Sequence, residues 1–583
     1  MDTMINRSIL FLSILLIGIS CKEEKKNFSP ENGPVAQAAV PRVDAMPNEP
    51  QPYQLRDWKK TTQLFDQYVF DWSATGPFMP LIWEDTMKRN VNQKTFGLFT
   101  CIGDVRQGAV VNNGENHEAL GQLGAIIGAT LVGIDKSNQD GRNYVKMSQN
   151  YFNKDNGWNI IQNFTNKGAH VGGGYGNDYW YDVYNNVLFY GMANYYPKTE
   201  GNDEILRAIA DQFYKSAEIL DQNYSYSYFD FKEMKGGVNH IPTQEDAAGG
   251  YAFILYSAYV KFGDAKYLEA AKKALNALQG QKESRFYESL MPFGAYVGAR
   301  LNAEQGGNYE VQKFIDWTFD GDATNREGWG VIVGKWGGYD VSGMVGSTVH
   351  QGGYGFAMNT FDLAWPLTAM LRYDQRYARA VGKWALNAAN TARLFYPSEI
   401  PDSLQALPNK KALAKEAIAY EGLIKESNYP QYKGKTPFAQ GDGPQWVKGM
   451  PEESMFSLYG SGHVGFFGGL IGGTNVDKIL KIDCVAADMF RSSLAYPTYL
   501  YYNPYKDAKS VEVDLGDSMT DVYDAVGREI LMRDVKGKVS VAIPADAARL
   551  LVSVPAGAAY TAIKGHLLAN GVEIDYRYPT PKK

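Results

Sequence analysis

The chain has 583 residues, 45% hydrophobic and 21% charged, a size and balance that call for one large globular domain or two or three smaller ones. A formal net charge of -6 and a pI near 5.7 give no basic footprint for nucleic acid or for an anionic membrane surface, and both are excluded as partners. The unusual counts are 40 Tyr, 11 Trp and 60 Gly; flat amphipathic rings suit the faces of sugars, and they suit ordinary cores equally.

The N-terminus, "MDTMINRSILFLSILLIGISCKEEKKNF", has a polar start, an apolar run from Ile9 to Ile19 and then Cys21, the layout of a signal peptide and too short to span a bilayer comfortably. It resembles a bacterial lipoprotein signal, in which the cysteine after a small residue is lipidated and becomes the mature N-terminus. The resemblance implies cleavage after residue 20 and lipidation of Cys21, although Gly18 stands where that family usually has leucine. It also implies an outer-membrane lipoprotein of the cell envelope, periplasmic or surface-exposed, that touches the membrane only through its lipid anchor. Residues 21–55, with "KEEKK" and scattered Pro, Gly and Ala, read as a flexible stalk. Beyond Cys21 only Cys101 and Cys484 remain, expected as buried thiols. With no CxxC, HExxH or EF-hand loop in the sequence, neither a metal nor a cofactor is expected.

From there the pattern is helical and paired. "GENHEALGQLGAIIGATLVGI" repeats Leu120, Leu123, Ile127, Leu131 and Ile134 at three or four residues, and a short helix is expected at 142–151. The same pairing predicts helices at 180–196 with 203–220, 245–262 with 264–278, 284–301 with 309–319, and 358–373 with 375–394. A sixth pair is expected at about 462–472, with its partner running onward from "TNVDKILKIDCVAADMF". First members are rich in Gly, Ala and aromatics; second members carry charge on one face. A helix apolar all round is an inner helix and an amphipathic one an outer helix, so six inner and six outer helices predict a mainly α fold, an (α/α)6 toroid. After "AYPTYLYYNPY" the period changes to that of strands, at 510–515, 539–544 and 550–555. The expected organisation is a signal at 1–20, a stalk at 21–55, a toroid at 56–500 and a small antiparallel β-domain at 501–583.

This succession of pairs resembles the six-hairpin carbohydrate-active enzymes, including unsaturated glucuronyl hydrolases, glycoside hydrolases and toroidal polysaccharide lyases. The resemblance covers roughly residues 56–500 and rests on architecture and motif placement. It implies an oligosaccharide or polysaccharide substrate.

In such a toroid all inner helices begin at one end, and five of the six histidines lie in segments that enter them: His117, His170, His240, His350 and His463. Acids gather there too: Glu115, Glu118, Asp178, Asp182, Glu245, Asp246 and Asp362. Each has a structural alternative, since Asp182 and Asp246 suit helix N-caps. "GSGHVG" at 460–465 matches GxGxxG without the βαβ unit that a dinucleotide site requires.

Two chemistries fit. Elimination from a uronic acid requires neutralising the carboxylate, removing the adjacent proton and protonating the leaving group; a sugar leaving group makes a lyase, a hydroxyl a dehydratase. His240, His350 and Tyr181 are its candidates, with Tyr179, Trp180, Tyr354, His117, His170, His463 and Asp178 as substrate contacts. Asn116, Asn239 and Asn359 are neutral donors, and Arg106 holds a carboxylate or sulfate or else a surface ion pair. By resemblance, toroidal polysaccharide lyases use such His, Tyr and Asn sets. Hydrolysis instead requires paired carboxyls, here Glu118, Asp182 and Asp246. The histidines favour elimination, with hydrolysis second and a non-catalytic glycan-binding lipoprotein third.

Overall fold

The computed structural model describes residues 33–105, 107, 118–165, 178–320, 328–446, 449–491 and 494–579. Among these residues, segments that are apolar all round form buried helices at Ala119–Leu131, Tyr179–Tyr195, Ala247–Phe262 and Leu290–Glu304. A broken fifth runs through Ala357–Asp362 and Ala364–Met370, and a broken sixth through Leu458–Gly462 and Gly465–Leu470. The fifth breaks where Pro366 has no N–H for the Asp362 carbonyl four residues back. Each inner helix packs on the next, and the sixth returns to the first. That return requires glycine: a Cβ on Gly465 would stand 2.0 Å from the Cα of Gly128.

Amphipathic helices back the ring at Asn202–Leu220, Ala265–Gly280, Val311–Phe319 and Ala378–Thr391. In the first of these the buried Ile205, Ile209, Phe213 and Ala217 recur every four residues, the stripe that faces inward. Behind Ala119–Leu131 the 3-10 turn Ser148–Tyr151, which follows the short Tyr144–Met147, packs in place of a long outer helix. The sixth outer helix does not follow its inner partner, as the pairing predicts. The helix packed behind Gly465–Leu470 comes from the other end of the chain, Trp58–Val69, whose buried face is Trp58, Thr61, Thr62, Phe65 and Val69. The segment after residue 470 forms strands instead, because "LKID" at 480–483 alternates buried and half-buried with period two.

Those strands open an antiparallel sheet in the order Ile471–Gly473, Leu480–Asp483, Thr498–Asn503, Ala547–Pro555, Thr520–Asp524, Glu529–Val535. A two-stranded antiparallel ribbon of Lys509–Asp514 and Lys538–Ile543 faces it across a second apolar cluster that includes Val511, Val541 and Leu551. Residues 33–55 are not a free stalk: Val40, Val43 and Met46 are buried, and Pro41–Asp44 packs on the outer helices Val311–Phe319 and Ala378–Thr391. Residues 1–32, with Cys21, lie outside the described residues. Cys101 and Cys484 are buried and form no disulfide with each other. No described helix is long and apolar enough to cross a membrane.

The ring has a filled interior and one closed end. Phe253, Phe293, Trp365 and Phe466, from four inner helices, meet with centroids 4.9–5.6 Å apart. Beyond them the segment 486–490 is pinned beneath the helix C-termini. Tyr195 Oη donates to the Ala486 carbonyl at 2.7 Å, Trp365 Nε1 to Ala487 at 3.0 Å, and the Arg300 guanidinium to the Met489 and Phe490 carbonyls at 2.9 Å each. The Asp488 carboxylate accepts from Tyr296, Tyr373 and Arg372.

Candidate active site

With the base closed, the chemistry-bearing side chains meet at the opposite end, where the inner helices begin. An antiparallel sheet ordered Phe438–Gln440, Gly422–Ile424, Tyr354–Phe356, Val345–Ser347, Trp329–Val331 stands there and leads directly into the fifth inner helix. Glu421 sits at the junction of this sheet with the short pair Ala419–Tyr420 and Phe456–Ser457. Its carbonyl accepts the Ala357 amide at 3.0 Å, which ties it to the helix N-terminus.

The Glu421 carboxyl accepts from Tyr354 Oη at 2.8 Å and from the Asp442 amide at 3.2 Å. Tyr354 reaches it by lying across Gly422, where a Cβ would stand 2.2 Å from the ring. Burial first, and the nearby Asp442 carboxyl second, push the Glu421 pKa from 4.5 up to about 8. Burial also raises Asp442, against the opposing pull of His350. This centre was missed by the sequence reading, which looked only at segments entering helices.

Across the opening, Tyr459 has Glu421, Glu118, Tyr181 and Asp442 as charge neighbours, and Tyr181 has Glu118, Glu288, Asp178 and Tyr287. Glu118 and Tyr459 line one small cavity. Glu288, also missed, is 8% exposed and holds a left-handed backbone at φ 61, strain of a kind that collects at functional sites. Its loop is fixed by Asp246, whose Oδ2 accepts the Tyr287 amide at 2.9 Å; Asp246 is 1% exposed and acts as a positioning residue. Burial drives Tyr181, Tyr354 and Tyr459 well above the usual phenol range, reinforced by the acids around them. A wall of rings runs along the opening, with centroids 5.0 Å apart for Tyr287 and Trp329, 6.3 Å for Trp329 and Tyr354, and 6.1 Å for Phe356 and Tyr459.

The three candidate histidines among the described residues do not converge. His463 lies in the core, fully buried: Nδ1 is 2.5 Å from Asp362 Oδ1, and Nε2 donates to the Leu120 carbonyl at 3.1 Å. It braces the sixth helix against the first and the fifth, so its assignment as a substrate contact is corrected. His240 is exposed, on a loop beyond the short strand Lys235–Gly237. His350 is at the opening, 6.1 Å from the Tyr354 ring. The backbone amide of Asn428 occupies Gln351 Oε1, so the Gln351 amide nitrogen donates to His350 Nε2 at 2.9 Å. That leaves the imidazole proton on Nδ1 and the Nε2 lone pair engaged. His117 and His170, with Arg106, Glu115 and Asn116, lie outside the described residues.

Asp182 is 3% exposed, and burial first and then Asp178 push its pKa up from the ordinary carboxylate value. Its other neighbours include Asp230, Tyr179 and Tyr251, a set between the second and third helix pairs and away from the opening. Tyr179 packs there against Tyr251. Asp178 instead accepts from Gln244 at 2.6 Å, and Gln244 in turn accepts the Trp180 amide at 2.5 Å. Trp180 lies under Tyr181 and Tyr184. Glu245 accepts from Thr243 at 3.0 Å. Asn359 is fully buried in the fifth inner helix, and neither side-chain amide atom has a hydrogen-bond partner among the described residues. Among those residues no group of three or more His, Cys, Asp or Glu is arranged to hold a metal ion.

No protein-family model matches the chain, and no curated protein matches it. Among solved structures it is similar to Ara127N, a GH127 β-L-arabinofuranosidase from Geobacillus stearothermophilus T6, at 11% identity and TM-score 0.33, over 89% of this chain and 85% of that one. A second GH127 β-arabinofuranosidase matches at 12% identity and TM-score 0.30, over 78% of this chain and 74% of the other. At such scores the likeness decides neither fold nor chemistry, which have to come from the site itself.

Proposed function

We propose that this chain is a glycoside hydrolase built on an (α/α)6 toroid, with Glu421 as the general acid. The observation that carries the reading is a carboxyl held at about 8 at the open end of the ring, hydrogen-bonded to Tyr354 and facing a second carboxyl, Asp442. A hydrolase has to keep one carboxyl protonated near neutral pH to assist the leaving oxygen, while another, ionised, activates water or attacks the sugar. Glu118 and Glu288, on the far side of Tyr459 and Tyr181, are the candidates for the second role. The ring wall from Tyr287 to Tyr459 supplies faces on which a sugar stacks. The described charge neighbours of Tyr459 and Tyr181 are acids and tyrosines, which favours a neutral sugar over a carboxylate at the cleaved position.

β-Elimination from a uronate is the second reading, favoured by one point: a protonated Glu421 is suited to hydrogen-bond and neutralise a uronate carboxylate. Against it, the tyrosines and the histidine at the opening are poor bases, which leaves proton abstraction to the Glu118 or Glu288 carboxylate. Tyr181, Tyr354 and Tyr459 are shifted away from the phenolate, and the His350 Nε2 lone pair is engaged. Lipidation at Cys21 and an envelope location belong to the same proposal.

The test is incubation of the purified protein with neutral and uronate-containing oligosaccharides, followed by mass spectrometry and ultraviolet absorbance. Fragments that have gained water, lost in Glu421→Gln, are expected. A new conjugated alkene would overturn hydrolysis in favour of elimination, and binding without any product would leave a glycan-binding protein.

A further inference from the structure

The far end of the molecule carries concavities that hydrolysis at the opening does not use. One, of about 870 Å³, lies between the C-terminal end of Leu290–Glu304 and the small sheet of Tyr560–Ile563, His566–Ala569 and Val572–Asp575. A second, of about 670 Å³, runs beside the outer helix Val311–Phe319. Asn302 and Arg577 line both, so the two are neighbouring parts of one face. The plug at 486–490 separates this face from the opening.

Its chemistry is the reverse of the opening's. Arg528, Arg577 and Lys564 line the larger part. Arg528 gives Nη2 to the Arg577 carbonyl at 2.8 Å, while its enclosed Nε makes no hydrogen bond and stands 4.0 Å from Asp575. Arg577 is 3.7 Å from Asp374, a carboxylate that Arg376 already holds through both oxygens. Two acids line the same part: Glu304 is taken by Arg300 and Tyr256, which leaves Glu573 against three cations. The narrower part is mixed in charge, with Glu310 and Asp316 beside Lys313, Arg376 and Arg577, and presents the half-exposed Trp317; Lys313 Nζ lies over one face of its ring, 4.5 Å from the centroid, and donates to the Gln279 and Gln281 carbonyls.

We propose that this face is a second saccharide-binding site, distinct from the hydrolytic one, that takes an extended anionic oligosaccharide. Its acidic groups meet the guanidinium and ammonium groups of Arg528, Arg577 and Lys564, and a sugar face lies on Trp317. Guanidinium pairs recognise planar carboxylates and sulfates through parallel hydrogen bonds, an indole offers a flat amphipathic face, and two neighbouring concavities suit a chain of sugars better than a single ion.

Calorimetric titration of the full chain with polygalacturonate, dextran sulfate and neutral dextran tests this. Binding of at least one anionic polymer is expected, with the neutral one bound at least about tenfold more weakly. Preference for polygalacturonate assigns the site to uronates, and preference for dextran sulfate to sulfate esters. The surface changes Lys564→Glu and Trp317→Ala each weaken binding by about tenfold and leave turnover of a short substrate unchanged; they do not rely on Arg528, whose removal disturbs the Arg577 backbone. Equal binding of neutral dextran, absence of binding to both anionic polymers, or unchanged binding in both variants would overturn the proposal.

Discussion

Asp488 at the base of the ring and Glu421 at its opening are both carboxyls enclosed among tyrosines, and they end in opposite states. Asp488 receives Tyr296, Tyr373 and the Arg372 guanidinium, so its charge is balanced and its hydrogen bonds are filled. Glu421 receives Tyr354, Tyr459 and one backbone amide, with the Asp442 carboxyl beside it and no guanidinium or ammonium among its described partners. One arrangement fixes an ion in place and the other keeps a proton within reach of a ligand. The difference lies in what stands opposite the carboxyl and in access: Asp488 is 1% exposed, whereas Glu421 is half-buried.

The largest expected effect separates the two ends by activity. Glu421→Gln lowers kcat/KM by about 10²- to 10⁴-fold without lowering stability. The folded pKa of about 8 lies above the ordinary 4.5, so between those values the folded chain binds more protons than the unfolded chain, and wild-type stability falls as pH rises. The variant does not titrate there, and urea midpoints of the two proteins diverge over that window in its favour; parallel midpoints would break the assignment. Next, Asp488→Ala costs about 3–5 kcal/mol in urea unfolding, because it leaves a guanidinium buried without its counter-charge, while protein that remains folded keeps its kcat. Smaller is Tyr354→Phe. Losing a hydrogen bond to the ionised form raises the Glu421 pKa further, so the alkaline limb of the rate profile moves to higher pH by about one unit; an acid limb that moves up while the alkaline limb stays would mean that Glu421 acts as the base. Smallest is His240→Ala, expected to change unfolding by less than about 0.5 kcal/mol and kcat not at all. A hundredfold loss there would restore the histidines to the chemistry.

Much of the helical framework was legible because the inner helices are apolar all round and the outer ones striped, and those periods survive in the sequence. The sixth outer helix was not. Trp58–Val69 shows its apolar face plainly, but its partner lies some 400 residues away, and periodicity carries no information about distant pairing. The site was legible only in part. Glu118, Tyr181, Tyr354 and His350 do come to the opening, while His463 and Asp182 turn into the protein because a helix N-terminus points side chains in every direction. Glu421 lies in "AIAYEGLIK", a single acid in an apolar run, at the bend between two short strands. An unpaired acid in such a run was the available signal, since acids are seldom buried without a reason.

The ring closes where Gly128 meets Gly465 and where His463 reaches the Leu120 carbonyl, a bond between residues 343 positions apart. That seam, two backbones bare of side chains, therefore cannot close until synthesis has passed residue 465. Closure awaits the strands that follow, because the plug at 486–490 comes later still. Contacts this distant make assembly slow and leave the seam exposed to other chains in the meantime, so the same glycines that let the helices touch make the unfinished protein dependent on protection.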